Sequence, residues 1–146
     1  MLRRLVLALL AFGLAGTTLE LLLLDHVESA PQLLPFISIA LSAAAIVWHL
    51  ASPRGVTVRA IQIAMVLMIV TGLTGLVLHY RGNLEFQIDI DPAQSGWELF
   101  KKVVRAKAPP ALAPGSMAQL GLLGLAYTFR HPTLAEPSSP IDVKEN

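Results

Sequence analysis

The chain has 146 residues, 54% hydrophobic and 14% charged, with a formal net charge of +1 and no cysteine. Soluble domains are about one quarter charged, so this composition and the mean hydropathy of +0.62 point to a membrane protein. The small net charge gives no argument for nucleic acid, and without cysteine there can be no thiol catalysis, iron–sulfur cluster, disulfide or thiolate zinc site.

A helix needs about 20 apolar residues to cross a bilayer. Four blocks approach that length, at 5–24, 31–50, 60–78 and 111–129. The first follows Arg3 and Arg4, a start that a signal peptide would share. The apolar run continues to Leu24, beyond a usual signal core, so a retained span is expected. The second opens with Pro31 and Pro35, expected in or just before its first turn, and places Ser38, Ser42, Ala45 and His49 on one face. Trp48 sits where interfacial aromatics sit. The third places Ala64, Met68, Thr71, Gly75 and His79 on one face, and His79-Tyr80-Arg81 marks its far end. The fourth is interrupted at its start by Pro114. It carries Met117, Gly121, Gly124 and Thr128 as a small-residue packing face, with Tyr127 and Phe129 as an aromatic belt.

Residues 81–110 form the one long polar insert. Leu84, Phe86, Ile88 and Ile90 alternate with Glu85, Gln87, Asp89 and Asp91, the period of a strand. Asp91-Pro92 breaks it. Ser95 and Glu98 then read as a capping box for an amphipathic helix from Gly96 to Lys107. Trp97 and Phe100 share its apolar side, and Lys101, Lys102 and Arg105 reach the other. They form a candidate contact for a partner or a lipid headgroup. Residues 132–146, rich in proline and serine, are expected to be a disordered tail.

Arg3, Arg4, Arg54, Arg59 and Arg130 fall at one end of this threading, which by the positive-inside rule is cytoplasmic. The insert, with Arg81, Lys101, Lys102, Arg105 and Lys107, departs from the rule. The first helix is taken as dominant, giving a plasma (inner) membrane protein with both termini cytoplasmic and the insert outside.

Glu20 is the sharpest single residue, an ionisable group in an otherwise apolar span. It shares a face with Gly13 and Gly16 and is expected to point into the bundle. It would serve either proton or cation coupling, or an ion pair with His79, His26 or Arg81 at the same surface. His26 and His79 could share a metal with Glu20, although the spacing carries no motif, and interfacial hydrogen bonding is the alternative. His49 and His79 lie at opposite surfaces, so one subunit cannot clasp a haem between them. No phosphate loop, dinucleotide fingerprint, zinc-protease motif or nucleophile elbow occurs.

The runs Leu78-His79-Tyr80-Arg81-Gly82-Asn83, Ser95-Gly96-Trp97-Glu98-Leu99-Phe100 and 111–121 resemble a pattern in small, uncharacterised bacterial four-span proteins. The resemblance covers about the last half of the chain and implies a topology but no activity. Small multidrug-resistance transporters also pair four spans with a glutamate in the first. The long third loop here departs from them, and the analogy rests on one residue and a helix count.

The fold expected is an all-α membrane protein, a four-transmembrane-helix bundle with a short extracytoplasmic strand-plus-amphipathic-helix insert. The function expected is a non-enzymatic small subunit or accessory protein. It would be held in the lipid bilayer by other membrane subunits or by copies of itself, with no cofactor and no metal. The alternatives are a small proton- or cation-coupled transporter using Glu20, and a haem- or quinone-binding redox subunit.

Overall fold

A computed structural model describes residues 1–27, 29–107 and 109–134. The described residues form five α-helices and a terminal turn: α1 (Leu2–Leu23), α2 (Ala30–Ala51), α3 (Gly55–Ile90), α4 (Gly96–Val104), α5 (Gly115–Thr128) and a 3-10 turn at Pro132–Leu134. Three helices, α1, α2 and α3, are long and apolar enough to cross a membrane.

The fourth expected span is not formed. Pro114 holds the start of α5 back to Gly115, and Phe129 turns extended at its other end. The helix has 14 residues, or about 21 Å at 1.5 Å per residue, against roughly 30 Å of hydrocarbon. Instead α5 packs along α3 in the opposite sense. Pro114 meets Gly75, Ala118 meets Gly72, and Gly121 meets Met65 and Ile69. The expected small-residue face is therefore real: Met117, Gly121, Gly124 and Thr128 are all buried. Tyr127 joins them at 6% exposure, so it is a core residue and not part of an aromatic belt.

The expected strand is also absent. Residues 84–90 continue α3, which runs for 36 residues without a break. A lone strand has no partner for its amides and carbonyls, whereas a helix already in progress satisfies them at no nucleation cost. Pro92 forces Asp91 into extended backbone (φ −148°, ψ 94°), and the helix stops there. The apolar run of α3 ends near Leu78, so its last 12 residues project as about three polar turns. α4 packs back on this projection through Val103, which is fully buried. It is shorter than expected, ending at Val104 and not Lys107, and the Ser95 side chain makes no cap. Glu98 bonds Lys101 at 2.6 Å in place of reaching back to the helix start.

The first two helices are joined by a well-defined reversal. Asp25 takes a left-handed conformation (φ 49°). The His26 amide donates to the Leu21 carbonyl and the Asp25 amide to that of Leu22, closing a Schellman motif. Gln32 Oε1 then accepts the Ser29 amide and opens α2. Pro35 lies within α2, in its second turn. Ser38, Ser42, Ala45 and His49 face the interior as their spacing predicts, and the Ser38 and Thr71 hydroxyls pair at 2.8 Å across α2 and α3.

The core of Leu10, Leu14, Ile39, Ile46, Ile61, Met65 and Met68 lies where α2 and α5 meet α3 and α1 packs against α5 and α2. α1 is the outlying helix. It touches α5 and α2, and only Leu10 and Leu14 are buried along it. The tail expected at 132–146 begins with the turn at Pro132–Leu134, and residues 135–146 lie outside the described residues.

Candidate functional site

The structure gathers polar side chains at both ends of the packed helices. At the end carrying the projection, His26 and His79 approach with ring centroids 6.4 Å apart. His79 Nδ1 donates to the Pro110 carbonyl at 2.9 Å, and the Asn83 amide donates to that of Pro109 at 3.0 Å. These two bonds tie the returning loop to α3. Burial lowers the pKa of His26, and the neighbouring His79 adds to the effect. Arg81 is exposed and makes no ion pair among the described residues.

Glu20 does not join this group. It is exposed, and among the described residues it pairs with neither histidine nor Arg81. The bundle-facing orientation expected of it is thus corrected. Gly13 packs against Leu120, but a side chain at Gly16 would meet nothing within 4 Å. The face carrying Gly16 and Glu20 is open. The alternative of a metal shared by His26, His79 and Glu20 is not assembled either, since the described residues hold no cluster of three side chains suited to a metal.

The other end carries a constellation that helical spacing did not reveal. His49 is 4% exposed and His131 8%, with ring centroids 5.0 Å apart and planes nearly perpendicular. Tyr127 lies 6.2 Å from the first ring and 5.5 Å from the second. His49 Nδ1 stands 2.7 Å from the Thr57 hydroxyl, which stands 2.8 Å from the Arg54 carbonyl. All three are satisfied if the imidazole donates to the hydroxyl and the hydroxyl donates to the carbonyl. His131 Nδ1 pairs with the Thr133 hydroxyl at 2.9 Å. Arg3 closes the group from α1, donating to the carbonyls of Tyr127, Phe129 and Arg130 at 2.9, 3.1 and 2.8 Å. His49 and His79 lie at opposite ends, as the threading predicts. His131 was missed because it follows the last helix, where only the reversal at Arg130 (φ 47°) brings it back onto α2.

Among the described residues the charged side chains at this end are all cationic. Arg3, Arg4, Arg54, Arg59 and Arg130 lie there, and the described carboxylates all lie toward the other end or on the projection. Burial lowers the pKa of His131, and His49 and Arg3 add to it. A folded-state pKa below the unfolded value means that the unfolded chain binds more protons, so stability rises with pH through that window. The contribution is fully present above the unfolded value near 6.5 and is lost as pH falls below it. The shift at His26 has the same sign. The melting temperature in detergent is therefore expected to be lower at pH 5 than at pH 7.5, and His131→Gln should narrow the difference. Equal melting temperatures at the two pH values would contradict the assignment.

The projection holds the third polar feature. Trp97 stacks on Phe100 (5.0 Å, 18°), and Phe100 lies 6.3 Å from Tyr80. Lys102 and Arg105 are exposed beside them. Of the expected contact residues, Trp97, Phe100, Lys101 and Lys102 share α4 and Arg105 is its C-cap.

No family model, curated protein or solved structure matches this chain.

Proposed function

We propose that the chain is a small integral membrane subunit that completes its packing against another membrane protein or a second copy of itself. The observation that carries this reading is the open face of α1. Gly16 has empty space over it, and Glu20, one turn further, is an ionisable residue in an apolar helix without a partner among the described residues. A small residue permits close approach of a second helix, and a carboxylate at membrane depth is stabilised by a cationic or hydrogen-bonding partner from a neighbouring chain. The arginines at the end opposite the projection, Arg3, Arg4, Arg54, Arg59 and Arg130, support placing the start of the chain on the cytoplasmic side of a plasma membrane.

The absence of cysteine makes the test clean. Gly16→Cys is expected to cross-link in native membranes, to itself or to a co-purifying chain. Val47→Cys, on an exposed position of α2, is not. Glu20→Ala should reduce the cross-linked fraction several-fold. A chain that stays monomeric in native lipid, with no product at Gly16→Cys, would refute the reading.

A further inference from the structure

The projection of α3 and the helix folded against it border a shallow, open cleft of about 350 Å³, lined by Gln87, Glu98, Lys101, Lys102, Arg105 and Ala106. That volume lies at the small end for ligand clefts, roughly 300–1,000 Å³, so it suits a small group and not a macromolecule. Its charge is unbalanced. The Glu98 carboxylate is taken by Lys101 at 2.6 Å, which leaves Lys102 and Arg105 without a carboxylate partner among the described residues. Glu85, Asp89 and Asp91, on or just past the same stretch of α3, do not reach across to neutralise them. The Lys102 ammonium, the Arg105 guanidinium fork and the Gln87 NH2 group are donors not engaged by that pair, a set that matches phosphate oxygens.

The position of the cleft selects the source of that phosphate. Tyr80 comes two residues after the apolar run of α3, and its ring lies 6.3 Å from Phe100 at the middle of α4. Trp97, stacked on Phe100, is 67% exposed. Aromatic rings of this kind settle at the membrane–water boundary. With the apolar run of α3 in a bilayer, rings settling at that boundary would set α4 and its cleft beside the headgroups. We infer that the cleft between α3 and α4 binds the phosphodiester headgroup of an anionic lipid, with Lys102 and Arg105 as the principal contacts.

The test uses the full chain in mild detergent. Only two tryptophans are present, so Trp48→Phe leaves Trp97 as the single reporter. Titration with short-chain phosphatidylglycerol is expected to give a saturable change in Trp97 fluorescence, and phosphatidylcholine none. Lys102→Ala and Arg105→Ala should each weaken binding about fivefold, the effect of one basic residue near an anionic surface. Arg54→Ala, at the other end of the bundle, should leave binding unchanged. Circular dichroism of each variant checks that the helices are retained. An unaltered response in the double variant would overturn the proposal. So would saturable binding of inorganic phosphate with the same sensitivity to both substitutions, because the cleft would then serve a soluble anion.

Discussion

Gly72→Leu and Gly121→Leu are expected to separate α5 from α3 and to cost about 3 kcal/mol each, the upper part of the usual range for overpacking. The reason is backbone contact. A Cβ on Gly72 would stand 2.7 Å from the Ala118 amide nitrogen and 2.9 Å from the Pro114 carbonyl oxygen. A Cβ on Gly121 would stand 2.7 Å from the Met65 carbonyl oxygen and 2.6 Å from the Ile69 side chain. A side chain can change rotamer to admit a neighbour, but a helix backbone cannot, so the helices themselves must move apart. Close approach matters more here than in water, since lipid tails compete equally for apolar side chains and association rests on van der Waals contact. Gly82→Ala provides the contrast. Nothing lies within 4 Å of that Cβ, and alanine in an exposed helix interior should stabilise by about 0.5–1 kcal/mol. Unfolding in mixed micelles, followed by circular dichroism, measures all three. A Gly72→Leu protein as stable as the parent would mean that α5 does not lie against α3 as described.

How far this arrangement is legible in the sequence depends on which physical signal each segment carries. Helices α1, α2 and the apolar part of α3 follow from length and hydropathy alone. The buried faces at Ser38, Ser42, Ala45 and His49, and at Gly121 and Gly124, follow from a period of 3.6 with small residues. The stretch 84–90 misleads because its alternation is genuine. In the helix that alternation leaves Phe86 and Ile90 60% and 61% exposed, so the pattern describes no buried face. What decides the conformation is the uninterrupted helix before it and the missing strand partner, and neither appears in a local window. Glu20 was misplaced for a related reason. Gly13 and Gly16 predict a packed face, but the contact of α1 with α5 includes Gly13 and leaves Gly16 uncovered. A fourth helix long enough to span would be needed to cover the rest, and Pro114 prevents it. The pairing of His49 with His131 joins residues 82 positions apart through a reversal at a non-glycine residue, which no spacing rule anticipates.

Arg3→Met is expected to lower stability by about 2–3 kcal/mol, comparable to the loss of a charge-assisted hydrogen-bond group. Arg4→Met, at an exposed position, should change little. The difference between two adjacent arginines comes from geometry. The fork of Arg3 spans the carbonyls of Tyr127, Phe129 and Arg130, the last turn of α5 and the reversal after it. Those carbonyls lack helical partners, and they form the negative end of the α5 dipole. One guanidinium thereby caps α5, fixes the reversal that returns His131 to His49, and pins an outlying α1 that buries only Leu10 and Leu14. Arg3→Lys separates charge from shape. An ammonium keeps the favourable field but cannot bridge three carbonyls in a plane, so it should recover less than half of the loss. A second readout excludes a general weakening. Because Arg3 helps to hold down the His131 pKa, Arg3→Met should raise that pKa, moving its imidazole proton resonance toward the behaviour of a free histidine. If stability falls while the His131 titration stays in place, Arg3 acts only through α1 insertion and the carbonyl cradle is incidental. If both move together, the guanidinium organises this end of the packed helices.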